Sequence, residues 1–167
     1  MTADPLTLQA TRVGARLREK RALLVTAESC TGGWVSQAVT AIAGSSEWFE
    51  RGFVVYSNAA KEELLGVRRE TLELHGAVSE ETARELALGA LERSPGTISV
   101  AVTGVAGPSG GSAAKPVGLV CFAWATRRGA RTESRNFAGD RESVRRQSVA
   151  RALEGVLEML DAGSPQA

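Results

Sequence analysis

Ser29 lies in the stretch Thr26-Ala27-Glu28-Ser29-Cys30-Thr31-Gly32-Gly33, where small, hydroxyl and glycine residues follow the apolar run Leu23-Leu24-Val25. Trp34, Val35, Ala38, Val39 and Ile42 come next, at the three- and four-residue spacing of a helix face. The stretch therefore reads as a strand-to-helix turn. The first amides of such a helix have no partner within it and favour negative charge. A turn of this kind can hold an anion, or an oxygen that gains charge during a reaction, while presenting Ser29 as a nucleophile.

A serine needs a base. The sequence holds one histidine, His75, and three lysines, Lys20, Lys61 and Lys115, against seventeen arginines. Arginine does not give up its proton, whereas a buried lysine can. His75 follows Glu73-Leu74 at the expected end of a helix, a place that suits a solvated side chain. Lys61 follows the β-prone run Phe53-Val54-Val55-Tyr56, and partial burial at a sheet edge would lower its pKa. Its other reading is a solvated lysine beside Glu62 and Glu63. Tyr56 either passes a proton between Ser29 and Lys61 or packs as a core residue. The turn motif differs from the Gly-x-Ser-x-Gly elbow of the α/β-hydrolases.

A second feature is the segment from Gly104 to Gly118, rich in glycine and carrying Pro108 and Pro116. Its glycines let main-chain amides approach a ligand closely. No Gly-Lys-Ser/Thr follows it, and no Gly-x-Gly-x-x-Gly opens a helix, so neither a Walker nor a dinucleotide-binding loop is supported. Lys115 either closes the loop over an anion or lies at the surface. Arg141, after Gly139-Asp140, stands where it can pair with a phosphate in the first turn of a helix.

The elements that must position these residues follow from periodicity. Asp4 and Pro5 start an amphipathic helix over 5–20, with Asp4 as its capping carboxylate. A strand near 22–27, a helix near 32–43 and a strand over Phe53–Tyr56 come next. Asn58 caps a short helix that Gly66 stops, and another short helix spans 68–75. Ser79 caps a helix to about 93. Residues 97–103, 117–125 and 132–137 read as strands, the last two joined by a turn at Arg127-Arg128-Gly129. Asp140 caps a final helix to about 160, and the tail 162–167 is expected to fray. Alternating strands and helices argue a layered α/β fold with a mixed sheet, and we assign one domain over 1–167 with its core at about 5–160.

The chain has 167 residues, 20 basic and 19 acidic, enough to bury a real core in an ordinary globule. It holds no apolar run of membrane-spanning length, and Met1 to Pro5 lack the character of a signal peptide, so a cytoplasmic protein without membrane contact is expected. Cys30 and Cys121 lack the spacing of metal ligands or of a disulfide framework. Arg145, Arg146 and Arg151, with acidic neighbours, read as a solvated helix face, so no nucleic-acid partner is expected.

Taken together, several motifs resemble a known family. Ala27-Glu28-Ser29-Cys30-Thr31-Gly32-Gly33 and Gly52-x-x-x-Tyr56-Ser57-Asn58-x-x-Lys61 closely resemble the C-terminal domain of the competence-damage-inducible CinA proteins. So do Leu64-Leu65-Gly66-Val67, His75-Gly76-Ala77-Val78-Ser79, Thr103-Gly104-Val105-Ala106-Gly107-Pro108 and Lys115-Pro116-Val117-Gly118. The resemblance runs from about residue 8 to 160. It implies a three-layer α/β/α fold with a mixed, mostly parallel sheet. It also implies hydrolysis of the carboxamide of nicotinamide mononucleotide to nicotinate mononucleotide and ammonia, which feeds NAD salvage. By resemblance Ser29 is the nucleophile, Lys61 its base and Tyr56 a partner in proton transfer. The substrate contacts expected with them are Cys30, Thr31, Gly32, Gly33, Asn58, Ala77, Val78, Thr103, Gly104, Gly107, Pro108, Lys115 and Arg141. No cofactor or metal is implied, and a homodimer is. Longer family members carry a further N-terminal domain, whose pyrophosphatase activity is not expected here. Ser109 and Ser112-Ala113-Ala114 depart from the glycine and acidic residues of many members. The alternative reading from another class is a non-catalytic nucleotide-binding module.

Overall fold

The computed structural model describes residues 2–162. The tail expected to fray lies, beyond Ala162, outside the described residues. In chain order the elements are α1 (Pro5–Lys20), β1 (Leu24–Glu28), α2 (Trp34–Thr40), β2 (Phe49–Val54), α3 (Asn58–Leu65), α4 (Arg69–His75), α5 (Glu80–Glu92), β3 (Ile98–Gly104), β4 (Leu119–Thr126), β5 (Gly129–Asn136) and α6 (Arg141–Ala162).

Among the described residues the strands form one five-stranded sheet in the order β2-β1-β3-β4-β5. β1 pairs in parallel with β2 and β3, while β4 runs antiparallel to both β3 and β5. Four strands thus share one direction, but only two of the four pairings are parallel, so the sheet is mixed and not, as expected, mostly parallel in its ladders. None of the helices among the described residues is long and apolar enough to cross a membrane.

Central strands covered on both faces must be apolar on both. In β1, β3 and β4 the alternate residues Leu24, Val100, Val102, Phe122 and Trp124 turn to a core shared with α1, α2 and α6. Val25, Ala27, Ala101 and Ala123 turn to a core shared with α3 and α5. The fold is therefore α/β/α in three layers. The first core takes the large side chains. Trp124, fully buried, stacks on Phe122 with centroids 5.6 Å apart and donates from its indole to the Ala152 carbonyl at 2.9 Å. Only glycine fits α6 at 155, where a Cβ would lie 1.9 Å from the Trp124 ring.

Local deviations have local causes. β2 begins four residues before the expected run and ends at Val54, so Tyr56 lies outside it. β2 is an edge strand with polar residues Glu50 and Arg51, which hides it from an apolar pattern. The Val55 amide still donates to the Glu28 carbonyl at 2.9 Å, but the carbonyls of Val55 and Tyr56 turn to the Lys61 amine and the ladder ends there. Ser57, not Asn58, caps α3, accepting from the Ala60 amide at 3.0 Å. The Asp4 carboxylate makes no cap hydrogen bond to α1 and instead pairs with Arg146. Ser79 caps α5 and Asp140 accepts from the Ser143 amide at the start of α6, both as expected.

Because β1, β2 and β3 point the same way, the segments that leave their carboxyl ends gather at one end of the sheet. Ligand sites of open α/β sheets sit outside such ends. The Ser29 turn, the Val55–Ser57 segment and the Gly104–Gly118 loop all lie there.

Candidate active site

Ser29 is the first residue past β1. Its amide donates to the Val102 carbonyl at 2.9 Å, which extends the β1–β3 ladder by one step and fixes where the turn begins. Gly32 and Gly33 then take φ of +59° and +103°, a backbone region that favours glycine, and α2 starts at Trp34.

The anion expected at the start of α2 is supplied by the chain itself. Glu28 is fully buried. One of its oxygens accepts from the Thr31 hydroxyl at 2.7 Å and the Val35 amide at 2.8 Å. The other accepts from the Ser36 amide at 2.9 Å and the Ser36 hydroxyl at 2.7 Å. The Trp34 amide goes to the Thr31 carbonyl. The helix start is therefore occupied, and any charge that develops on a substrate must look to amides earlier in the turn. Gly32 donates to the Ser29 carbonyl, whereas the amides of Cys30 and Thr31 meet no acceptor among the described residues.

Lys61 comes to this turn from α3. It is 1% exposed, and its Nζ lies 3.1 Å from Ser29 Oγ, 3.0 Å from the Val55 carbonyl and 2.9 Å from the Tyr56 carbonyl. Burial pushes the amine below its ordinary value, against a smaller opposing effect of Cys30. Carbonyls only accept, so two of the three contacts require N–H groups. The third partner is a hydroxyl, which can donate. A neutral amine satisfies all three: two N–H groups to the carbonyls and its lone pair to the Ser29 O–H. This is the hydrogen-bond state a general base requires.

The Tyr56 phenol is elsewhere. The residue is 63% exposed, and its hydroxyl accepts from Arg141 Nη2 at 3.4 Å. What Tyr56 gives the Ser29–Lys61 pair is its carbonyl; the phenol does not stand between them. Cys30, though adjacent to Ser29, turns its thiol into the first core, where burial pushes the pKa up to about 12. It stays a protonated thiol and presents only its main chain to the turn. Thr31 is likewise fully buried, its hydroxyl spent on Glu28.

The glycine-rich loop reaches the same end of the sheet. Arg141 Nη1 donates to the Gly107 carbonyl at 2.7 Å, so its guanidinium links that loop to Tyr56. Pro108 is exposed beside it. Thr103, buried at the end of β3, donates to the Ala77 carbonyl at 2.8 Å and ties the Gly76–Ser79 segment to the sheet, with Val78 packed against the second core and Gly104 in register with Val120. Asn58 is exposed at the start of α3. Lys115 donates to the His75 carbonyl, and His75 Nδ1 lies 3.7 Å from Glu81. The histidine is thus engaged at the α4–α5 junction and not with Ser29. Cavity size does not single out the Ser29–Lys61 corner: open cavities of about 570 Å³ and 610 Å³ are lined by neither residue. The larger one nears the site through Val78 and Lys115.

Two charged residues of the corner escape a reading by motif. Glu28 was legible only as part of a string of small residues. A carboxylate at the end of an apolar strand just before a turn is nonetheless a signal, because a buried charge must find donors. Arg145 falls in a run that reads as solvated, yet its Nε donates to the Cys30 carbonyl at 3.1 Å and its Nη2 to the Thr31 carbonyl at 3.0 Å. Arg151 also leaves that reading, since its side chain is only 9% exposed and forks onto Glu133 and Glu158.

Glu28→Gln gives a direct test of the turn. A carboxamide has one accepting oxygen, so its NH₂ must face either the Val35 or the Ser36 amide, both donors. One buried N–H loses its partner. The expected cost is about 1–3 kcal/mol, read as a lower unfolding midpoint in denaturant with an unchanged m-value. An unaltered midpoint would show that the carboxylate charge does not hold the corner.

The comparisons with known proteins agree with this architecture. The family model described as the CinA C-terminal domain matches residues 7–160. The nicotinamide-nucleotide amidohydrolase PncC of Escherichia coli K12 is 54% identical over 155 residues, which span 92% of this chain and 94% of that protein. The protein of the same name from Pseudomonas putida is 51% identical over 156 residues, 93% of this chain and 98% of that one. Among solved structures, the competence/damage inducible protein CihA of Agrobacterium tumefaciens superposes with a TM-score of 0.91 at 45% identity, covering 96% of this chain and 99% of that one. The competence damage-inducible protein A of Klebsiella pneumoniae subsp. pneumoniae gives 0.93 at 38% identity, covering 96% and 100%. A match of that extent, on a fold with the same three layers, shows that the chain belongs to the CinA C-terminal domain family.

Proposed function

We propose that this chain hydrolyses the carboxamide of nicotinamide mononucleotide, with Ser29 as nucleophile and Lys61 as base. The observation that carries the reading is the 3.1 Å contact between a buried lysine amine and the hydroxyl at the β1 corner. The names of the relatives in Escherichia coli and Pseudomonas putida support the substrate.

In the first half-reaction Ser29 Oγ forms a bond to the carboxamide carbon as its proton passes to Lys61. The carbonyl oxygen takes up the electron pair and is met by the amides of Cys30 and Thr31. Collapse breaks the C–N bond, and the proton on Lys61 goes to the departing nitrogen, which leaves as ammonia. In the second half a water adds to the acyl ester, gives its proton to Lys61, and Ser29 is released with that proton. The product acid ionises to nicotinate mononucleotide. The fixed positive charge of the substrate's pyridinium ring draws electrons from the carboxamide and assists both additions. Arg141, with the Gly104–Pro108 and Ala77–Val78 backbone, Asn58 and Lys115, frames the ribosyl phosphate in this reading. The product would enter the nicotinate branch of NAD salvage.

The test is ammonia release by chelator-treated protein from nicotinamide mononucleotide, nicotinamide riboside and free nicotinamide. The mononucleotide is expected to turn over, and the two compounds without phosphate to fall well behind in kcat/KM because they forgo remote binding energy. Saturable binding of the mononucleotide without any ammonia would leave a binding module instead.

A further inference from the structure

We propose that Arg145 is a positioning residue for the oxyanion donors at the Ser29 corner. The proposal rests on the preceding reading, in which the Cys30 and Thr31 amides receive the oxyanion.

The argument begins with the peptide group. The Cys30 carbonyl and the Thr31 amide belong to one planar unit. Arg145 Nε donates to that carbonyl at 3.1 Å, and Nη2 donates to the Thr31 carbonyl at 3.0 Å. A charged donor on the oxygen of a peptide polarises the unit and makes its N–H a stronger donor. It also fixes the plane, and therefore the direction in which that N–H points. The Thr31 amide is one of the two that meet no acceptor among the described residues.

The guanidinium is held in place. Its centre lies 5.4 Å above the Trp34 ring, and its stem comes from α6, a 22-residue helix packed into the first core. Glu28 grips the same turn from the other side, through the Thr31 hydroxyl and the Val35 and Ser36 amides. An anion thus holds the donor edge of the turn and a cation holds its acceptor edge. Two adjacent carbonyls need a fork of fixed geometry, which arginine has and lysine lacks.

A staple that merely fastens α6 to the turn would raise KM, lower stability, or do both. A positioning role predicts a different pattern, because oxyanion contacts strengthen only as charge develops. The experiment compares full-length wild type, Arg145→Lys and Arg145→Met. It measures kcat and KM for nicotinamide mononucleotide, affinity for nicotinate mononucleotide, and affinity for the corresponding pyridine boronate nucleotide, which forms a tetrahedral adduct on a serine oxygen. We expect kcat to fall roughly 10- to 100-fold in both variants with KM nearly constant. Boronate affinity should fall by a similar factor, and product affinity should hold. Unchanged kcat in either folded variant overturns the proposal, as does an equal loss of boronate and product affinity. Should neither variant fold, the wild-type Thr31 amide proton must still move downfield when the boronate binds, and a static resonance overturns it. Full activity in Ser29→Ala would remove the underlying reading, whereas a dead Ser29→Ala beside fully active Arg145 variants would remove this inference alone.

Discussion

Ser29→Ala is expected to lower ammonia release from nicotinamide mononucleotide by about 10⁴-fold or more, the scale on which removal of a serine nucleophile acts in other hydrolases. No neighbour can take over. Cys30 is next in sequence, but its thiol lies in the core, is pushed up to about 12 and supplies no thiolate near neutrality. The Thr31 hydroxyl is buried and already donates to Glu28. The variant should fold normally. The Ser29 side chain shares one hydrogen bond with Lys61, whose two carbonyl contacts remain, so a loss of only about 1 kcal/mol is expected. The turn is held by backbone and by Glu28, neither of which the substitution touches. Binding of nicotinate mononucleotide should persist, which separates lost chemistry from a lost site. Turnover near the wild-type rate would dismiss Ser29 from the mechanism.

Most of the fold was legible because its signals are local. The α1, α5 and α6 stripes, the Gly66 stop and the Ser79 and Asp140 caps each concern residues within one or two turns of one another. β2 is hard to place because an edge strand need not be apolar, and because past Val54 the carbonyls of Val55 and Tyr56 turn to Lys61. The candidate site was legible in the Ser29–Lys61 pair that the fold brings within 3.1 Å, but not in its support. Ser29 and Lys61 can be nominated from residue type, since so few bases exist in the chain. That Tyr56 contributes a carbonyl and turns its phenol to Arg141 depends on the direction the chain takes after Val54, which residue types do not encode. Arg145 is separated from Cys30 by 115 residues, and its contact with the turn depends on α6 crossing over the β1 corner. Glu28 is hidden for a different reason: a strand-to-helix turn reads as open to a ligand, whereas a buried carboxylate one residue before Ser29 already fills it.

Lys61→Arg is expected to lose roughly 10²- to 10⁴-fold in kcat/KM, the contribution of a general base, although it conserves charge. Guanidinium does not release its proton in the accessible pH range, and Lys61 is only 1% exposed, so its slot has little room for the larger group. A near-normal rate would show that a fixed positive charge suffices. The wild-type pH profile decides the same question by sign. Burial lowers the Lys61 amine from its ordinary 10.5. If the neutral amine is the active form, kcat/KM rises with pH through that lowered value and levels off above it. If the ammonium form is needed, kcat/KM falls over the same interval. Stability follows from the same shift. Between the lowered value and 10.5 the unfolded chain binds more protons at this lysine than the folded chain, so the lysine's contribution to stability rises with pH across that window. Below the window the cost of burying the ammonium is present in full. Activity and the Lys61 share of stability should therefore climb together, and in Lys61→Arg both dependences should vanish from that interval. A profile that rises in the arginine variant as it does in wild type would assign the ionisation to another group. The burial that weakens the fold at lower pH is, on this account, what leaves a lone pair facing Ser29.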